Sequence, residues 1–379
     1  MNIPFNIPYL SGKENNYIKD AIHYSGKKGF ISYTDRCKTL LNDKLGYNEI
    51  YLTTSCTSAL EISAILINIE NGDEVIIPSY TYPSTANAFI RQGAKVICAD
   101  SRTDNPGIDE YKIESLITEK TKAIVPVHYA GVACDMHKIM MIANKHNLFV
   151  IEDAAHALDA YFNNYSLGSL GHIGCLSFHR TKNIQCGEGG AIIINDKKFS
   201  KRVINILEKG TNRQELISGR TDNYEWVDIG SSYTMSELHA AYLYSQLEVS
   251  DLIKEKRKSI WQTYYSLLLP LQEKGLVKLP VIPSSADHNA HIFYLVLNGS
   301  EIMYGLKNFL TDHHIQATSH YTPLIISDYW KKHGMPPTEN LNSLMYFKNL
   351  LRLPLYNAMS TDLVKTVVEA ISEFFSLKV

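Results

Sequence analysis

Lys182 is the residue on which chemistry is most readily built. It stands in Leu176-Ser-Phe-His-Arg-Thr-Lys-Asn-Ile-Gln-Cys-Gly-Glu-Gly-Gly-Ala191, among small and turn-forming residues between two apolar runs. Ile173 to Phe178 reads as one short buried strand and Ala191 to Asn195 as another. The lysine therefore falls on their connection, where reactive groups collect. Most lysines are solvated surface charges. One held in a pocket loses its proton more easily and can attack a carbonyl. Gly187, Gly189 and Gly190 would leave room beside a bulky bound group.

Two further stretches carry candidate chemistry. Phe149-Val-Ile-Glu-Asp-Ala-Ala-His156 is an apolar strand that ends in two acids and small residues. Asp153 there reads either as a carboxylate facing a ligand or as an N-cap for the residues after it. The strand Glu49 to Leu52 runs into Thr53-Thr-Ser-Cys-Thr-Ser58, with a helix from Ala59 to Ile69 directly behind. Strand, hydroxyl-rich turn and helix suit a phosphate, because free backbone N–H groups and the positive end of the helix dipole face the anion. Ordinary capping by Ser and Thr has the same appearance.

The elements that must position these residues alternate. Strands are expected at Asp73–Pro78, Ala94–Asp100, Thr121–His128 and Leu148–Glu152, with helices at Ser84–Gln92 and Met136–His146 between them. Repeated strand and helix of this size mean βαβ crossovers and a mostly parallel sheet, an α/β fold whose ligands gather beyond the strand C-termini. From about Met235 to Gln272 the pattern reads as one long helix bridging to a second unit. Residues 1–245 are assigned to a large α/β domain and 246–379 to a smaller α+β domain, with a strand near His291–Leu297, a helix at Tyr304–Asp312 and a last helix at Asp362–Phe375.

The combination of Glu152-Asp-Ala-Ala155 with Ser177-Phe-His179 and Lys182-Asn183 resembles the DegT/DnrJ/EryC1/StrS family of sugar-nucleotide aminotransferases, which use pyridoxal phosphate (PLP) on the fold type I, aspartate aminotransferase-like scaffold. The likeness runs from Asn6-Ile-Pro to Arg352-Leu-Pro-Leu355. It implies that Lys182 condenses with the cofactor aldehyde and moves protons, and that Asp153 sits against the pyridine nitrogen. Tyr82 would stack on the ring, though a tyrosine there also reads as packing. Thr57, Ser58 and Ser177 would hold the phosphate. His156 falls near the ring hydroxyl, where a hydrogen-bonded core histidine is the plainer reading.

Phe178-His-Arg-Thr-Lys-Asn183 resembles the branch that acts at C4 of nucleotide-linked 4-keto sugars. Val127-His-Tyr-Ala-Gly-Val-Ala133, Gly210-Thr-Asn-Arg213, Asp228-Ile-Gly-Ser-Ser-Tyr233 and His320-Tyr-Thr-Pro-Leu324 look like the bacterial dTDP-4-keto-6-deoxy-D-glucose 4-aminotransferases of surface-polysaccharide pathways, O-antigen and enterobacterial common antigen among them. The resemblance implies L-glutamate as amino donor, 2-oxoglutarate as its product, pyridoxamine phosphate (PMP) as the intermediate cofactor form, and a homodimer with sites at the interface. Arg213, His320 and Tyr321 are the candidates for substrate contact, although Arg213 reads equally as a surface charge. Ser232 and Thr234 depart from relatives with amide or basic residues where a neighbouring subunit reaches the phosphate, which leaves that contact open. The family's C3-acting aminotransferases and its sugar dehydratases are the near alternatives. The dehydratases carry histidine where Lys182 stands.

Composition limits the rest. Among 379 residues, 45% are apolar and 20% charged, ordinary for a globular chain. A net charge of −2 without basic runs offers no footprint for nucleic acid or an anionic membrane. No apolar run reaches about 18 residues and no leader pattern opens the chain, so the expectation is cytoplasmic. The six cysteines are dispersed and the fourteen histidines form no H-E-x-x-H, which argues for reduced core thiols and no metal. No G-x-G-x-x-G follows a strand, which speaks against a nicotinamide-dependent oxidoreductase. A non-enzymatic relative that keeps the fold is the remaining rival.

Overall fold

The computed structural model describes residues 2–47, 49–333 and 341–377. Seven strands form the main sheet: β1 (Ile50–Thr53), β2 (Glu74–Pro78), β3 (Lys95–Ala99), β4 (Thr121–Ile124), β5 (Phe149–Asp153), β8 (Ile173–Ser177) and β9 (Gly190–Ile194). Two short strands, β6 (Tyr161–Phe162) and β7 (Tyr165–Ser166), lie between β5 and β8 in the chain and pair with each other, and β6 also pairs with β11 (Ala286–Asp287). The order across the main sheet is β1-β9-β8-β5-β4-β2-β3. Pairing is parallel from β8 through β5, β4 and β2 to β3, and only β9 runs against its neighbours.

Period-two alternation explains why these apolar runs become strands. Ile76, Ile124, Val150 and Leu176 enter one core, packed under helices Tyr33–Leu45, Met136–His146 and Glu237–Leu247. Val75, Ile77, Ala123, Ile151 and Cys175 enter the other, under Cys56–Leu66, Pro83–Ile90 and Ser200–Leu207. A sheet buried on both faces needs apolar residues at nearly every position, and the sequence supplies them. All six cysteines are buried free thiols.

A second sheet, β10 (Val277–Lys278), β12 (Tyr294–Leu297) and β13 (Leu350–Arg352), packs with helices Ser250–Glu273, Ser300–Asp312 and Thr361–Ser376 around its own core. Two expectations change here. The long helix is broken at Val249 (φ −115°, ψ 17°) into Glu237–Leu247 and Ser250–Glu273. Tertiary contacts cause the break: Glu248 is tied to Lys13 and Tyr17, and Ser250 accepts from Lys44. The first residues, assigned with 1–245, lie instead on the C-terminal core. Ile3 is buried there and bridges to Ile315, and Phe5 accepts from the Leu355 amide through its carbonyl.

Candidate active site

The C-terminal ends of β1, β2, β5 and β8 open on one cavity of about 490 Å³. Lys182 reaches it from the hairpin between β8 and β9. That hairpin is held by Phe178 N–H donating to Gly189 O, Cys186 N–H to Phe178 O and Arg180 N–H to Gly187 O, so the lysine sits on a braced turn. Asn183 fastens the turn to the C-terminal unit. It donates to Asn289 O (2.9 Å) and accepts from His291 Nδ1 (2.8 Å). Burial lowers the Lys182 amine to about 8, and the Arg352 charge adds to the effect while Asp153 opposes it.

Asp153 ends β5 as a buried acid, with no helix behind it to cap. One oxygen accepts from Thr85 Oγ1 (2.8 Å) and the other from the Ala155 amide (3.2 Å). Burial raises its pKa, and these two donors pull the other way by favouring the carboxylate. His156 receives the Ala130 N–H at Nδ1 (3.3 Å), so its Nε2–H is left for the Tyr321 hydroxyl (3.4 Å). Burial holds this ring well below its usual pKa and neutral.

The helix Cys56–Leu66 starts at the cavity wall. Its N-cap is Ser55, whose side chain accepts from the Ser58 amide (3.1 Å). Thr57 faces the cavity and donates to Ser84 Oγ (2.9 Å), and Ser177 also lines it. Gly190 lets this corner close: a Cβ there would lie 2.3 Å from the Ser55 carbonyl carbon. Gly190 therefore serves chain packing. Gly189 likewise abuts Cys186 and Met235, and Gly187 takes a left-handed φ of 81°.

Tyr82, Tyr321 and His320 also line the cavity, with Tyr82 61% exposed at its mouth. Two candidates lie elsewhere. Ser58, the third residue of the helix, turns its hydroxyl back to Thr54 (2.8 Å) and Ser55 (3.0 Å), because helical side chains tilt toward the N-terminus, and these partners engage it in the turn. Arg213 is exposed on the helix Arg213–Ile217 and pairs with Glu208 (3.5 Å) outside its own chain's cavity. Sequence reasoning missed Thr85, His291, Arg257 and Arg352. Arg352 had a signal, a charged residue inside Leu350-Leu-Arg-Leu-Pro-Leu355.

The residues fit PLP on their chemistry: an easily deprotonated amine, a buried acid across the cavity, and hydroxyls at a helix N-terminus. Among the described residues no cluster of His, Cys, Asp and Glu is arranged to hold a metal, and no helix is long and apolar enough to cross a membrane. Fold and site together define a PLP fold type I transferase. The chain belongs to the DegT/DnrJ/EryC1/StrS aminotransferase family, whose model matches residues 13–372. It is 30% identical over 385 residues to the spore coat polysaccharide biosynthesis protein SpsC of Bacillus subtilis, covering 98% of this chain and 96% of that one. Spr1654 of Streptococcus pneumoniae, solved in its PMP form, superposes with a TM-score of 0.90 at 23% identity over 100% of both chains. DesV of S. venezuelae does so at 0.87, with 25% identity and 98% of each chain covered.

Proposed function

We propose that the chain transfers the amino group of L-glutamate to C4 of dTDP-4-keto-6-deoxy-D-glucose, giving a dTDP-4-amino-4,6-dideoxy sugar for a bacterial surface polysaccharide. The observation that carries the reading is Lys182 itself. It is a braced amine with a lowered pKa, in one cavity with Asp153 and a hydroxyl-lined helix end. The C4 assignment is supported by Phe178-His-Arg-Thr-Lys-Asn183, and the polysaccharide setting by the likeness to SpsC.

PLP, when bound, supplies an electron sink that stabilises negative charge on the carbon losing its proton. The chain's own residues do the rest. Lys182 holds or takes the proton at Nζ in each half of the reaction, and a pKa of about 8 leaves it poised to do both near neutrality. Asp153, fixed by Thr85 and the Ala155 amide, keeps a proton on whatever nitrogen lies against it. Thr57, Ser84 and Ser177 offer hydroxyls to a phosphate, and Tyr82 closes the mouth over a flat ring. A lysine rather than a histidine at 182 speaks against sugar dehydration.

The test is incubation with dTDP-4-keto-6-deoxyglucose and glutamate, followed by NMR of the product ring couplings. A C4 amine is expected, its couplings reporting whether it is axial or equatorial. Yellow holoenzyme that yields no amino sugar removes the substrate assignment.

A further inference from the structure

Lys182 and His156 come to one cavity on separate loops, the hairpin between β8 and β9 and the loop after β5. A third segment, residues 289–291 of the C-terminal unit, is bonded to both. Asn183, next to the lysine, donates through Nδ2 to Asn289 O (2.9 Å) and accepts at Oδ1 from His291 Nδ1 (2.8 Å). Asn289 donates through its own Nδ2 to His156 O (2.8 Å) and Leu158 O (2.8 Å), and its Oδ1 accepts from the His291 amide (3.1 Å). The turn that carries the amine and the loop that carries the histidine therefore share one anchor.

That anchor is held in a conformation its residues disfavour. Ala290 has a left-handed φ of 52°, where a Cβ crowds the backbone. Arg257, on the helix Ser250–Glu273, keeps it there: Nε donates to Ala290 O (3.2 Å) and an Nη to His291 O (2.9 Å). Burial of this arginine lowers its pKa to about 9, the mark of a charge kept from water and spent on the turn. Backbone strain that the surroundings over-determine is concentrated at active sites, where it presets geometry.

The side chains interlock by tautomer. Asn183 Nδ2 is committed to a carbonyl, so Oδ1 faces His291 and Nδ1 of that ring carries the proton. His156 has the opposite tautomer, because its Nδ1 accepts from the Ala130 amide. The two rings lie 4.5 Å apart at 44°, and burial holds both well below their usual pKa and neutral, so they pack together without charge repulsion. We propose that Asn183 and His291 are positioning residues for Lys182, through which the 289–291 anchor fixes the reacting amine relative to His156. Their hydrogen bond acts through the backbone of the turn, on where Nζ stands, and displacing a reacting atom by about 1 Å costs about 100-fold in rate. The proposal rests on the aminotransferase reading above and on no choice of sugar.

Capture of PLP by the apoprotein separates position from binding. The rate of adduct formation at Lys182 is read by borohydride trapping at fixed pH, and binding alone by titration with deoxypyridoxine phosphate, which keeps the ring and phosphate and lacks the aldehyde. Asn183→Leu, close in size and without either polar atom, is expected to slow capture by about 10- to 100-fold and to leave the analogue within about threefold. His291→Leu should slow it by about 10-fold, and His291→Asn, whose Nδ2 takes the place of the ring Nδ1 and donates, should recover all but about threefold of that loss. Asn183→Leu combined with His291→Leu should be no slower than Asn183→Leu alone, since both changes remove the same bond. Cooperative melting and analogue binding establish that each variant is folded, and the two His291 variants decide the matter if Asn183→Leu is not. Capture at the wild-type rate in the folded variants, equal losses in His291→Leu and His291→Asn, losses that add in the double variant, a matching loss of analogue affinity, or a wild type that captures no PLP at Lys182 overturns the proposal. The sugar assignment fails separately, on the NMR of the wild-type product.

Discussion

A lysine whose amine titrates near 8 should capture PLP in a way a solvated lysine does not. Capture needs the free base, whose fraction grows as pH rises. The rate of adduct formation in apoprotein should climb about tenfold per pH unit below 8 and flatten above it. Borohydride trapping at timed intervals reads this out. Lys182→Ala should give no adduct, and a profile still climbing at about pH 10 would mean a solvated amine. Thr85→Val deletes the 2.8 Å hydrogen bond to Asp153, the favourable counterweight to burial, so the acid's pKa should rise further. A net loss of about 1 kcal/mol corresponds to a fall in kcat of about fivefold, with the KM for sugar unchanged. At this scale the meeting of Lys182, Asp153 and Ser177 in one cavity was legible, because each ends or joins an apolar strand. Arg213 and Arg352 were not, because whether a charge meets solvent or a cavity is decided by elements remote in the chain.

The phosphate-facing corner is an arrangement of elements more than of side chains. The Ser55 turn can lie on β9 only because position 190 has no side chain. Gly190→Ala should cost about 1–3 kcal/mol, the usual range for overpacking against backbone, and should raise the concentration of PLP needed for half-saturation. Urea unfolding and cofactor titration measure the two effects. A variant with wild-type stability would show that the turn relaxes freely. The seven sheet strands could be read from their apolar runs, since a doubly covered sheet imposes that pattern locally. The break at Val249 could not, because helical periodicity continues through it and only the contacts of Glu248 and Ser250 interrupt the backbone.

At the scale of the whole molecule, large apolar groups reach solvent on the stretch that follows the helix Ser200–Leu207. Residues 210–233 form an arm with a firm base. The Val227 and Asp228 amides both donate to Gly210 O, and Arg202 grips Asp228 through Nε (2.6 Å) and an Nη (3.2 Å). Above that base Trp226 is 81% exposed, with Ile217 at 65%, Tyr224 at 59% and Ile229 at 54%. Large apolar groups on a well-anchored scaffold mark a contact surface, and aromatic residues are the usual anchors of such contacts. The expected homodimer would cover them, with the exposed Arg213 carried on the same arm. Trp226→Asp should therefore shift the sedimentation coefficient from that of a dimer to that of a 42.8 kDa monomer while the far-UV spectrum of the fold is retained. Placing an uncompensated carboxylate at the centre of a contact costs about 2–5 kcal/mol, which weakens association by about 30-fold or more. If the wild type sediments as a dimer and the variant does too, the arm is no part of the contact.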